Sequence, residues 1–236
     1  MKMSACALAC CVSLLAQTDN PYIAQIAGAG RAVGKPYSAN QVTRSVQTLF
    51  NGSHIDRTVT NLVWQDDQGR FRMETTDDRR RVVIQDMVAQ VIYSIDMEHK
   101  TARKSAMMPA REAQKIAGDV SPLEEARATA RRTPNEMVED LGSQLINGVS
   151  ALGVRVTTTI PIGAIGNDQE LKSFSERWYS NDIHALVKTV TTDPRSGIHT
   201  YELTDIVRSA PDPALFQVPP GITVTTVPDG SLPREQ

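Results

Sequence analysis

The sequence predicts a mainly β protein: a long, strongly curved antiparallel sheet forming an open or incomplete barrel, with one or two short helices as a lid or excursion. Three observations lead there. Two Asn-Gly steps, Asn51-Gly52 and Asn147-Gly148, each lie between runs of alternating apolar and polar residues, the strongest short-range hairpin signal. Further alternating runs follow, separated by turn-forming Asp, Gly and Pro clusters. Ten or more strands in series make a sheet wide enough that its twist must curl it.

The chain opens with one positive charge, Lys2, and then an uncharged run to Gln17, followed by the polar Thr18-Asp19-Asn20-Pro21. This is the pattern of a short export signal. Residues 1–16 are read as a signal peptide cleaved after Ala16, which makes the mature protein periplasmic or secreted. The alternative is a buried N-terminal helix. Ala7-Leu8-Ala9-Cys10 is similar to a bacterial lipobox, but Leu8 stands two positions before Cys10 rather than three, so ordinary cleavage is preferred to a lipid anchor at Cys10. All three cysteines, Cys6, Cys10 and Cys11, fall in the signal, leaving a mature chain with no disulfide or thiolate metal site. Residues 17–36, with Gly28, Gly30 and Gly34 and no sustained period, read as a flexible leader.

A single domain then covers residues 37–227, with a tail at 228–236. Val42 to Phe50 and Ser53 to Gln65 flank the first Asn-Gly. A two-residue turn there would oppose Thr48 to Ile55 and place Val42, Val46, Phe50, Ile55, Val59 and Val63 on one face. Thr43, Ser45, Gln47, Asp56, Thr58 and Thr60 would take the other. Asp66 to Gly69 and Asp77 to Arg79 turn the chain into strands at 70–76 and 80–85, and two more follow at 91–96 and 101–106.

Alternation stops at 107–134. Ser121-Pro122-Leu123-Glu124 supplies an N-cap, a first-turn proline and a capping-box acid. The short helix it starts has Leu123 as its one large apolar residue, so it reads as a polar excursion or lid rather than a core helix. The second Asn-Gly sets Met137, Leu141, Leu145, Leu152, Val154, Val156 and Ile160 on one face. It also opposes Gly142 to Gly153 on the other, a spot without side chains where a sheet bends or admits another group. Strands at 171–179, 184–192 and 198–207 complete the pattern, the last two joined by Asp193-Pro194-Arg195-Ser196-Gly197. Val187, Tyr201 and Leu203 are expected to face inward, and Phe174 and Trp178 to fill the core or line a cavity.

No catalytic, cofactor or metal residues are assigned. Gly28 to Pro36 misses both the dinucleotide fingerprint and the P-loop by one residue. His54, His99, His184 and His199 have no ligand spacing, and there is no G-x-S-x-G elbow. Asp66-Asp67 and Asp77-Asp78 are explained by turns. Lys plus Arg is 25 against 27 for Asp plus Glu, which gives no basic stripe for nucleic acid. No stretch approaches the length of a transmembrane helix.

Ser175-Glu176-Arg177-Trp178-Tyr179-Ser180, Asp193 to Gly197 and Asp212-Pro213-Ala214-Leu215-Phe216-Gln217-Val218-Pro219-Pro220-Gly221 carry a resemblance. With the hairpins in place, the chain resembles exported bacterial proteins of the outer-membrane lipoprotein carrier (LolA/LolB-like) superfamily. That resemblance implies an incomplete barrel closed by helices, whose cavity takes an acyl chain or apolar peptide without a cofactor. The expected function is a non-enzymatic envelope carrier or sensor for lipid, lipoprotein or apolar peptide. The alternative is a periplasmic structural or interaction protein with a filled core and no small ligand.

Overall fold

The structure, a computed structural model, describes residues 33–78, 80–107, 127–128, 133 and 135–227. The export signal with its cleavage after Ala16, the Cys10 anchor, most of the leader, nearly all of the 107–134 excursion and the tail lie outside the described residues. The described residues form twelve strands: β1 (Tyr37–Thr48), β2 (His54–Gln65), β3 (Phe71–Thr75), β4 (Arg81–Asp86), β5 (Val91–Asp96), β6 (Thr101–Ala106), β7 (Glu136–Ile146), β8 (Val149–Ile160), β9 (Leu171–Ser180), β10 (Ala185–Asp193), β11 (Gly197–Val207) and β12 (Thr223–Thr226).

All belong to one sheet in the order β12-β6-β5-β4-β3-β2-β1-β11-β10-β9-β8-β7. The hairpins therefore form two meanders, β1 to β6 and β7 to β11, joined where β1 pairs with β11. The sheet is not closed into a barrel. It is also not wholly antiparallel, because β12, which the sequence reading lacks, runs parallel to β6.

The sheet curves enough that the β7–β8 turn reaches back to β11. Asn147 Nδ2 donates to Leu203 O at 2.7 Å and to Glu202 Oε1 at 2.9 Å, although β9 and β10 lie between β8 and β11 in the sheet. Irregularities in three ladders, at Ser38/Asn40, Asp140/Gly142 and Leu186/Lys188, allow that bend, since a bulge kinks its strand and adds twist. Gly142 takes φ 72° at the second of these.

Register decides which side chains meet. The β7–β8 turn is the two-residue kind expected, with Asn147 at φ 46° and Gly148 at φ 84°, and Gly142 does oppose Gly153. Beyond the bulge the pairing slips by one, so Met137 opposes Thr157 and shares its face with Arg155 rather than with Val154. At the first hairpin the loop holds three residues, Phe50-Asn51-Gly52, closed by Leu49 N donating to Ser53 O at 2.8 Å. Only Gly52 is left-handed there, at φ 81°. Thr48 opposes His54, not Ile55. That one-residue difference corrects the expected face: Val42 and Val46 lie on the side opposite Ile55, Val59 and Val63, and Phe50 falls in the loop.

Two clusters pack on opposite faces of β3 and β4, where neighbouring residues alternate sides. The larger includes Tyr37, Ala39, Val63, Phe71, Met73, Val187, Leu203, Val149, Ala151 and Trp178. The smaller, Val82, Ile84, Ile95 and Ala102, is covered by Val218 and Ile222 of the chain that returns from β11 to β12. This strap crosses the sheet from its middle to its edge. On the way Asp212 caps a short 3-10 helix at Pro213–Phe216, and Phe216 is buried beneath Arg70, whose guanidinium lies 5.2 Å from the ring centre. Arg72 Nη1 ties the strap down through Leu215 O at 2.9 Å.

Candidate functional site

The face bearing the larger cluster is the candidate site, because it mixes apolar and polar groups at depth. Across β1, β2 and β3, Ala39 opposes Val63 and Val63 opposes Met73, an apolar rung. The rung on one side is polar: Gln41 opposes Asn61, which opposes Thr75. On the other side Tyr37, Gln65, Phe71 and Gln85 follow one another across four strands. All of these are buried.

The polar members are not equally satisfied. Gln65 Nε2 donates to Lys35 O at 2.9 Å, and Gly34 N donates to Asp67 O at 2.7 Å, so the end of the expected flexible leader is pinned to β2 and its turn. Thr75 Oγ1 donates to Asp77 Oδ1 at 2.7 Å and accepts from Arg81 N. Asn61 Oδ1 and Gln85 Oε1, in side chains only 1% and 6% exposed, have no hydrogen-bond partner among the described residues. A buried amide oxygen without a donor costs about 1–3 kcal/mol, so such atoms are rare in a finished core. Tyr37 and Tyr201 add hydroxyls. Burial pushes the Tyr37 phenol well above its ordinary range, with Tyr201 and Tyr179 adding to the rise, and burial does the same to Tyr201.

The residues expected to line this surface divide sharply. Val63, Val154 and Trp178 are buried, Leu141 packs against the larger cluster, and Val42, Val46, Val59 and Val156 are half-buried. Phe50, Ile55, Met137, Leu145, Leu152 and Phe174 are exposed, which removes them from the core. Their places in loops, at strand ends or on the outward face account for this. Phe50 sits in the loop itself, Met137 lies beyond the bulge, and Leu145 and Leu152 face away from the buried pair Ile146 and Val149. Val187 and Leu203 are buried as expected. Trp178 lies over Gly153, where an added Cβ would come within 2.5–2.7 Å of its ring, so the bare spot opposite Gly142 is occupied by indole. Tyr37, Gln41, Asn61, Gln65, Phe71, Met73 and Gln85 were not selected from sequence; the Gly at the third loop position of Phe50-Asn51-Gly52 was the signal for the register that selects them.

Outside this face the histidines and the Asp66 turn make short-range contacts. His54 Nδ1 lies 3.0 Å from Thr48 Oγ1, and His99 pairs with Asp96 across the β5–β6 turn at 3.0 Å. Asp66 caps its own turn, accepting from Gln68 N, Arg70 N and Arg70 Nε. Among the described residues no group of three or more His, Cys, Asp or Glu side chains could hold a metal, and no helix is long and apolar enough to cross a membrane.

An open, curved sheet, with one face strapped by its own C-terminal segment and the other part apolar and part amide, defines the class: an incomplete β-barrel left open along its edges. No family model and no curated relative matches the sequence. Solved structures with a similar run of chain include one of the Pseudomonas aeruginosa MucA/MucB complex, at 15% identity and TM-score 0.45 over 84% of this chain and 62% of that one. This chain thus spans less than two thirds of that neighbour. An uncharacterised conserved protein of Thermus thermophilus matches at 9% identity and TM-score 0.45, covering 82% of this chain and 91% of that one. A LolA superfamily protein of Nitrosomonas europaea matches at 13% identity and TM-score 0.31, covering 79% and 92%. At these values the likeness ends at the general course of the chain and does not reach function.

Proposed function

We propose that the protein is a non-enzymatic binding module of the cell envelope, a carrier or sensor that takes an apolar ligand against the mixed face of β1 to β4. Among lipid, lipoprotein and apolar peptide, the face favours a ligand with amide groups. Asn61 Oδ1 and Gln85 Oε1 are the observation that carries this reading. Each can accept a hydrogen bond that no described neighbour donates, and a bare acyl chain has none to give. An apolar peptide, or the acylated N-terminal peptide of a lipoprotein, brings N–H donors together with hydrophobic area. Burial of the apolar part against the partly exposed Val83, Leu141, Tyr201 and Ile206 beside the cluster supplies affinity, and the amides supply orientation.

The test compares an N-acylated apolar peptide with the corresponding free fatty acid, using intrinsic tryptophan fluorescence and the Asn61→Leu and Gln85→Leu variants. Removing an orphaned polar atom leaves stability unchanged or raised, whereas a bound N–H loses about 1 kcal/mol, roughly fivefold in affinity. The expected result is tighter binding of the acylated peptide, weakened in both variants. Equal binding of the fatty acid, or variants that gain stability and keep full affinity, contradicts the reading and assigns the acceptors to ordered water.

A further inference from the structure

The pairing of β1, β11, β10, β9 and β8 fixes the outline of one end of the sheet. Val46 opposes Ile198, Ile198 opposes Thr192, and Thr192 opposes Phe174, so these four mark one level across four strands. Above that level the β10–β11 hairpin closes almost at once, through Asp193–Gly197. The β1–β2 hairpin continues three residues further to Leu49 before it turns, and β9 begins three residues above Phe174, at Leu171. At 3.3 Å per residue each of these outer hairpins stands about 10 Å above the row, with the short one between them. Four strand spacings separate their centres, roughly 19 Å along the sheet.

Both prongs end in apolar side chains held in water. Phe50 is 104% exposed at the tip of the first, and Ile162 and Ile165 are 69% and 57% exposed in the second. Neither tip is loose. Asn51 Oδ1 accepts from Ser53 N and Oγ at 3.1 and 2.7 Å. In the other loop Asn167 Nδ2 donates to Pro161 O and Gln169 O at 2.9 and 2.6 Å, its Oδ1 accepts from Ile165 N at 3.2 Å, and Gly163 N donates to Asn167 O at 2.8 Å. Hydrogen bonding within the loops thus presents three large hydrophobic groups outward rather than letting them fold onto the sheet, against the ordinary drive to bury them.

We infer that this end of the sheet docks on a lipid surface of neutral headgroups, with Phe50 and the Ile162/Ile165 loop entering the interface. A protein partner of standard size needs a continuous patch of about 800 Å² per side. Two narrow tips about 19 Å apart, standing about 10 Å above a row in which Ile198 and Phe174 are exposed, do not make one flat patch, whereas a fluid interface receives each side chain separately and to a depth of roughly 5–10 Å. Of the cations near the prongs three are paired, Arg44 with Asp56, Lys172 with Glu170 and Arg195 with Asp193, while Arg57, opposite Ser45, is exposed and in none of the ion pairs among the described residues. With one exposed cation outside the ion pairs against three apolar tips, the contact rests chiefly on apolar insertion. It is independent of whether the mixed face carries a ligand.

Sedimentation with vesicles of phosphatidylcholine, and of phosphatidylcholine mixed equally with phosphatidylglycerol, tests it. The expected result is binding to both that salt does not remove, about tenfold weaker for Phe50→Ser and for Ile162→Ser/Ile165→Ser, and at background with all three changes. Val88→Ser, an exposed valine in the β4–β5 turn at the other end of the sheet, leaves binding intact. Phe50→Trp adds a reading that keeps the tip apolar: its emission shifts to the blue with vesicles and is quenched by brominated lipid. No sedimentation, binding that requires phosphatidylglycerol and dissolves in salt, equal loss in Val88→Ser, or a Phe50→Trp tip that stays in water overturns the inference.

Discussion

Gly153→Ala probes the bend in the sheet through a single atom. A Cβ at residue 153 would lie 2.5 Å from Cζ3 of Trp178 and 2.7 Å from Cε3 and Cη2. Carbon atoms pack best at about 3.5–4.0 Å, so the indole must withdraw by roughly 1 Å, or β8 must. Trp178 is only 8% exposed and sits in a cluster with Val149, Ala151 and Val187, which leaves it little room. Overpacking of this kind costs about 1–3 kcal/mol, offset by about 0.4–1 kcal/mol from the stiffer unfolded chain. The net expectation is a loss of about 1–2 kcal/mol in guanidinium unfolding, with a changed near-ultraviolet signal from displaced indole. Gly142→Ala separates the two glycines. Its φ of 72° makes any side chain strained, yet nothing lies within 4 Å of its Cβ position, so its cost is backbone strain of about 1–2 kcal/mol with the tryptophan signal unchanged. A double-mutant cycle with Trp178→Leu completes the test: the smaller side chain relieves Gly153→Ala and has no effect on Gly142→Ala. A Gly153→Ala protein of wild-type stability and spectrum, or a cost of Gly153→Ala that is unchanged when combined with Trp178→Leu, refutes the packing described for this corner.

Three other outcomes follow from the same structure. Tyr37 keeps its proton in the fold far above the ordinary phenol value of 10.0, so stability is full below that pH and falls as pH rises past it, because the unfolded chain releases the proton first; Tyr37→Phe flattens the alkaline limb of a stability–pH curve. Phe216→Ala loosens the C-terminal strap and costs about 3 kcal/mol in chemical unfolding, whereas Asp212→Ala, which removes the acceptor for Ala214 N, costs about 1 kcal/mol. The fall in burial along β2 toward its hairpin is checked by Val63→Ala, expected to lose about 2 kcal/mol, against Ile55→Ala, expected within about 0.5 kcal/mol, although both residues share one face of the strand.

The strands were legible because alternation and turn residues mark them, and β1 to β11 fall within a few residues of where the pattern puts them, apart from an earlier start of β1 at Tyr37. Register was legible where the turn had one solution. Asn147-Gly148 takes the two-residue form, and Gly142 meets Gly153 as read. Phe50-Asn51-Gly52 offered a second solution, a wider loop with only Gly52 left-handed, and the bonds from Ser53 to the Asn51 side chain favour it. Both faces of β1 and β2 carry a mixture of valines and polar residues, so alternation could not choose between them. The choice is made by Tyr37, Ala39 and Val63 meeting Phe71 and Met73 across β3, a contact between strands that no local window contains. Gln41 and Asn61 look like solvent-facing residues in sequence for the same reason. β12 was missed because it stands alone after a proline-rich strap and pairs with a strand far away in the chain.

The proposed ligand-binding face of β1 to β4 is distinguished from a self-contained core by what travels with the protein. Native mass spectrometry of the protein purified under gentle extraction, followed by the denatured mass of the same sample, makes the comparison. A ligand-binding face gives a hydrophobic, amide-bearing adduct that is present in the native spectrum, released on unfolding and depleted in Asn61→Leu/Gln85→Leu. A native mass equal to that of the bare polypeptide in both proteins contradicts it.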